Sequence, residues 1–107
     1  MIDDPRLRFR HALERRDVDA AVAIARALAP LSLLDALALV DLLAEAGDPR
    51  FAPWARRWGQ RLATERRLEP AAARRMWDWL ERMPEQDGAR AVTLALGALV
   101  RGERSDG

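Results

Sequence analysis

The stretch "PWARRWGQRLATERR", residues 53 to 67, holds two tryptophans and five arginines in fifteen positions. Either this is a surface that stacks bases between cations, or it is one side of a packed helix. Placed on a helix at about 100° per residue, Phe51, Ala55, Trp58 and Leu62 share one face and Trp54 lies on its edge. Arg56, Gln60 and Arg67 point the opposite way, with Arg57 and Thr64 beside them and Arg61 on the flank near Trp54. Base stacking requires rings exposed among the cations. This wheel separates the two, so Trp58 is expected to turn inward and to pack a helix into a core.

Outward from that helix, the rest of the chain reads as helix too. It has 107 residues, half of them hydrophobic, which suits one domain with its own core. Ala, Leu, Arg and Glu dominate, and the β-branched alternation of strands is missing. Asp4 and Pro5 open a first helix, to about Arg16, with Phe9, Ala12 and Leu13 on its apolar stripe. Asp17 caps a second, to Ala29 before Pro30, whose Val18, Ala21, Val22, Ile24, Ala25 and Leu28 cover most of its circumference.

Ser32 and Asp35 occupy capping-box positions for a third helix ending at Ala46, with Gly47 as a left-handed stop. Leu33, Ala36, Leu37, Leu39, Val40, Leu43 and Ala44 make it apolar on most sides. Asp35, Asp41 and Glu45 form a narrow acidic edge. This is the expected central helix. Asp48 and Pro49 start a fourth, where Pro53 demands a kink or a short first turn with the main helix beginning at Pro53. It should end near Arg67 or Leu68. A fifth runs from Pro70 to Met83, and a sixth from Asp87 to near Arg101. The expected fold is all-α: a compact bundle or short stack of about six antiparallel helices, as three helical hairpins. Residues 1–103 form one helical domain and 104–107 a flexible tail.

Helix, Asp-containing turn, helix recurs loosely at Asp17, Asp48 and Asp87, which resembles the stacked hairpins of tetratricopeptide repeats. The Trp, Gly, Tyr and Pro positions of that repeat are not found, so none of its peptide-binding residues is carried over. The segment "LSLLDALALVDLLAEAGDPRFAPWARRWGQRLATERRL" resembles a group of uncharacterised small all-helical proteins of high-GC bacteria. These show a Leu-rich "DALxLxxLLAE" helix, then a "DPxRF" turn, then "RWxxR". The resemblance spans about residues 31 to 83. It implies an all-helical fold and supplies no activity and no site.

Composition narrows the chemistry. There is no cysteine, hence no disulfide and no thiolate nucleophile or zinc ligand. All 18 basic side chains are Arg, and Lys, Asn and Tyr are absent, the pattern of GC-rich coding, so abundant Arg is weak evidence for nucleic acid. His11, the one histidine, falls beside Arg8 away from the apolar stripe and reads as a solvated residue. Asp41 and Glu45 adjoin at i,i+4 and read as partners for Arg rather than a metal or acid–base pair. Ser32 reads as a cap. No glycine-rich phosphate loop occurs. The chain is expected not to be an enzyme, and neither cofactor nor metal is expected. It starts without a signal-like apolar segment, and Ala27 to Leu34 is too short to cross a bilayer, which points to the cytoplasm.

Charge is uneven along the chain. The whole carries +1, but residues 51 to 75 alone carry +5 against −2 on either side. Arg56, Arg57, Arg67, Arg74 and Arg75 could form one basic surface, to be solvated, paired with Asp35, Asp41 and Glu45, or offered to an acidic protein or to phosphate. Trp77 sits off the face shared by Ala72, Met76, Trp79, Leu80 and Met83. The sixth helix is apolar nearly all round, with Leu94 and Ala98 opposite Val92, Leu96, Leu99 and Val100, so it is extra core or a partner groove. The expected function is a helical protein-interaction or scaffold module, binding a protein partner or itself through an apolar groove with a basic rim. Arg56, Arg57, Arg74 and Arg75 supply charge; Trp54, Trp77 and Leu94 supply apolar contact. The alternative is a nucleic-acid-binding accessory protein using the same arginines. Membrane contact is not expected, for want of a basic stripe.

Overall fold

The computed structural model describes residues 4–83, 95–98 and 100–102. The described residues contain no strand and five continuous helices: α1 (Pro5–Glu14), α2 (Val18–Leu28), α3 (Leu33–Ala46), α4 (Phe51–Glu65) and α5 (Pro70–Arg82). Residues 95–98 and 100–101 are helical as well. The expected start of that last helix lies outside the described residues.

Local chemistry places the boundaries. The Arg6 amide donates to Asp4 Oδ1 at 3.0 Å, the Ala20 amide to Asp17 Oδ1 at 3.2 Å, and the Asp35 amide to Ser32 Oγ at 3.1 Å. Each satisfies an amide that the first turn of a helix leaves unbonded. The turns joining α1 to α2 and α3 to α4 share one device. A left-handed residue, Arg16 (φ 56°) or Gly47 (φ 62°), ends the first helix. The next residue is an aspartate whose amide bonds back, Asp17 to Ala12 O at 2.9 Å and Asp48 to Leu43 O at 3.0 Å. Its carboxylate then accepts from the helix that follows or its lead-in, Asp48 Oδ1 from the Arg50 amide at 2.8 Å. One aspartate thus closes one helix and opens the next.

α4 departs from expectation at its start. It begins at Phe51, so Pro53 stands third in the helix, where an amide would have no intrahelical acceptor anyway. The missing N–H therefore costs little and forces no later start. The helix stops at Glu65, earlier than the sequence suggests, because Arg67 turns left-handed (φ 48°) and the Leu68 amide bonds back to Ala63 O at 3.1 Å.

Each helix packs chiefly on its neighbour in sequence, and α1 also touches α3. The helices pack against one another into a compact globule with extents of 47 × 27 × 23 Å. Two cores result. Phe9, Ala12, Ala21, Val22 and Ala25 meet Leu39, Leu42 and Leu43 on one side of α3. On its other side Leu33, Ala36, Leu37, Val40 and Ala44 meet Ala55, Trp58, Leu62, Met76, Leu80, Met83, Leu96 and Val100. α3 is thus the shared wall, as its nearly all-round apolarity requires. α2 is less enclosed than its composition suggests: Ala21, Val22 and Ala25 are buried, but Val18, Ile24 and Leu28 only half so.

Trp58 joins α4 to α3. It is 2% exposed, and its indole Nε1 donates to the Leu33 carbonyl at 2.8 Å. The only polar atom of a large apolar side chain is thereby satisfied inside the core. Trp58→Phe removes that bond and leaves a void, and should cost about 2–3 kcal/mol in urea unfolding, with Trp54→Phe costing less because that ring is only half-buried.

A second tie is ionic. Arg50 grips Asp48 with Nε at 2.9 Å and Nη2 at 2.8 Å, and reaches Asp19 in the first turn of α2 at 2.8 Å. The Arg50 side-chain bonds to Asp48, and after them the Arg50 amide bond to the same carboxylate, lower the Asp48 pKa from 3.8 to about 2. A depressed carboxylate stabilises the fold above its unfolded pKa and loses that contribution as the acid side is crossed. Between pH 3.8 and about 2, Asp48→Asn should flatten the fall of stability seen in the parent chain, read by denaturant midpoints at successive pH values.

Candidate basic-rimmed pocket

A pocket of about 320 Å³ opens where the end of α2, the α2–α3 link and α4 converge over α3. Its floor is apolar: Ala25, Ala29, Pro30, Leu31 and Ala36. Trp54 forms one wall, and Arg26, Arg57 and Arg61 form the rim. The space exists because three of the facing residues are alanines. Side chains that stop at Cβ leave a hollow between α2 and α4, while Leu31 and Trp54 pack against both cores beside it. This volume is at the small end of ligand-site sizes.

The rim cations are not equivalent. Arg61 donates from Nε to Glu65 Oε2 at 2.8 Å, one helical turn on. Arg57 lies with its guanidinium carbon 4.9 Å from the Trp54 ring centroid and donates from Nε to the Pro53 carbonyl at 3.4 Å. Neither Arg57 nor Arg26 is paired with a carboxylate among the described residues, and no Asp or Glu lines the pocket.

Of the site residues expected from sequence, Trp54 and Arg57 come together here. Arg56, Arg74 and Arg75 are exposed and lie outside the pocket. Trp77 is half-buried, with its six-membered ring over Gly59: a Cβ there would stand 2.5 Å from Trp77 Cζ3. That ring seats α5 on α4. Leu94 lies outside the described residues; of its neighbours, Leu96 and Val100 are buried in the α3–α4–α5 core. Sequence reasoning left Arg26 out. It breaks the apolar circumference of α2 in the last turn, but only tertiary packing brings it to the same pocket as Arg57. Arg61 was placed on the Trp54 flank by the helical wheel alone, and the structure puts both on the same pocket.

One residue of the acidic edge of α3 finds a partner outside the basic cluster. Glu45 pairs with Arg16 at the end of α1, not with the arginines of α4 or α5. His11 is exposed. Among the described residues no group of three or more His, Cys, Asp or Glu could hold a metal ion, and no helix is long and apolar enough to cross a membrane. No protein-family model matches the chain, nor does any curated protein or solved structure.

The Gly59–Trp77 contact can be isolated. Gly59→Ala gains about 1 kcal/mol of helix propensity but drives a methyl into the indole, so it should destabilise by about 1–2 kcal/mol net. In a Trp77→Ala background the same change should become neutral or favourable, and a double-mutant cycle by chemical denaturation measures the difference.

Proposed function

We propose that this chain is a protein-interaction module that docks an acidic partner through the pocket between α2 and α4. The observation that carries the reading is the conjunction in one small hollow of an apolar floor, a tryptophan wall and two arginines without carboxylate partners. Clefts of mixed character, apolar within and charged at the rim, are where binding energy concentrates, with Trp and Arg the residues most often responsible. The exposed Arg56, Arg74 and Arg75 add to the positive field of the 51–75 segment and favour encounter with an acidic surface. The buried, hydrogen-bonded Trp58 does not support continuous base stacking along α4, which a single-strand binder would use.

The test uses three forms of the full chain: the parent, Ala29→Trp to fill the pocket, and Arg26→Glu with Arg57→Glu to reverse its rim. Ala29 is exposed at the end of α2, so filling the pocket there spares the core, and circular dichroism checks that each form folds. Cross-linking in host extract should join the parent to a discrete protein that both variants lose. Joining of the same proteins to all three forms would remove the pocket from the function. Steeply salt-dependent retention on DNA, lost on charge reversal but kept by Ala29→Trp, would establish the nucleic-acid reading instead. A concentration-dependent dimer in sedimentation, abolished by Ala29→Trp, would identify the partner as a second copy.

A further inference from the structure

We infer that Arg57, held over Trp54, is a carboxylate receptor, and that the pocket recognises an acidic peptide segment whose neighbouring aliphatic side chain fills the cavity. This rests on the pocket being a protein-binding site and names the chemistry it selects.

The first support is the posture of Arg57. Its guanidinium lies over the indole at 4.9 Å, and its Nε is directed at the Pro53 carbonyl at 3.4 Å. The ring contact and the backbone bond together restrict where the group lies. The two terminal nitrogens have no acceptor among the described residues. A planar fork with a restricted orientation has already lost part of the freedom that binding would otherwise remove, and it matches the two oxygens of a carboxylate.

The second support is charge. Arg26, Arg57 and Arg61 lie on the rim, Glu65 answers Arg61 alone, and no acid lines the cavity. An anion is the complementary occupant.

The third is the floor. Ala29, Pro30, Leu31 and Ala36 present apolar surface directly beside the cations. A bare inorganic anion leaves that surface wet, and a phosphodiester strand, which follows rows of cations, would pass over it. An acidic residue next to a branched aliphatic one covers both halves. The volume, about 320 Å³, accommodates such a side chain with room for part of its backbone.

The experiment is a titration of the full 15N-labelled chain with N-acetyl-leucine, N-acetyl-leucine amide and inorganic phosphate at millimolar concentrations. The readouts are the indole N–H of Trp54 and the Nε–H of Arg57, with the buried indole of Trp58 as an internal control. N-acetyl-leucine should shift both signals and leave Trp58 in place. The amide should bind about tenfold more weakly, the scale of one charge-assisted hydrogen-bonded pair. Arg57→Lys, which keeps the charge and loses the fork, should bring the acid close to the amide. Ala29→Trp should abolish both.

Equal binding of acid and amide, no shift from any probe, or phosphate binding more tightly than the acid would each overturn the assignment. The underlying reading fails differently. If the acid binds as described but Ala29→Trp leaves every cross-linked protein in place, the receptor stands and the docking role falls. If Ala29→Trp removes a protein but no probe shifts Trp54 or Arg57, the docking role stands and the carboxylate receptor falls.

Discussion

The hydrogen bond from the Trp58 indole to the Leu33 carbonyl is the contact on which the rest of this architecture depends. It fixes the rotation of α4 about its own axis. With Trp58 turned toward the first turn of α3, Ala55 and Leu62 must face the same core, and Trp54, one turn earlier, must fall on the seam between the two cores. Arg57, three residues after Trp54, then stands over the Trp54 ring, and Arg61 one turn further along the same edge. Were α4 rotated by about 100° in the sense that carries Arg56 toward α3, that arginine would meet the core and both tryptophans would meet water. A single buried polar contact is a strong arbiter because its alternative is an unsatisfied indole N–H in a dry core.

The second constraint is the paired use of Asp17 and Asp48. Each takes part in closing the helix before it and in ordering the turn after it, so α1–α2 and α3–α4 are built by the same local rule. Long-range ion pairs then fasten the hairpins to one another. Arg16 of the first turn reaches Glu45 on α3, 29 residues away, and Arg50 of the second reaches Asp19 on α2, 31 residues away. Exposed pairs of this kind contribute little energy. Their value lies in register: both cross from the α1–α2 hairpin to the α3–α4 hairpin, and together they limit how one slides along the other. The pocket lies between α2 and α4, so its width depends on that register.

Much of this was legible in the sequence. The caps Asp4, Asp17 and Ser32 and the stop at Gly47 lie where residue type alone puts them, because cap geometry is local. The central place of α3 follows from apolar residues on nearly every side, and the inward turn of Trp58 from its company with Ala55 and Leu62. What local reasoning does not supply is pairing across helices. Arg26 carries no mark that it will stand beside Arg57, and Glu45 none that it will choose Arg16. Two left-handed arginines, Arg16 and Arg67, occupy positions usual for glycine, so residue type does not mark the end of α4. Pro53 misled for the opposite reason: its penalty depends on how many residues precede it in the helix, and two is few enough to remove it.

The composition bears on the pocket in a final way. With no lysine in the chain, every cation available to the rim is a guanidinium, and only a guanidinium both stacks on an indole and presents a planar pair of donors. An ammonium in place of Arg57 would retain the charge, yet a point charge on a flexible stem would be oriented by water rather than by Trp54. The abundance of arginine in the composition does not by itself explain this posture. The posture comes from the spacing of Trp54 and Arg57 on a helix whose rotation Trp58 has already set. Arginines elsewhere on this surface, Arg56, Arg74 and Arg75 among them, have no stacking or ion-pair partner among the described residues and stand exposed. The difference between a solvated cation and a directed one is therefore made by tertiary packing, and it is at the α2–α4 junction that packing supplies the aromatic platform, the hollow and the missing counter-charge together.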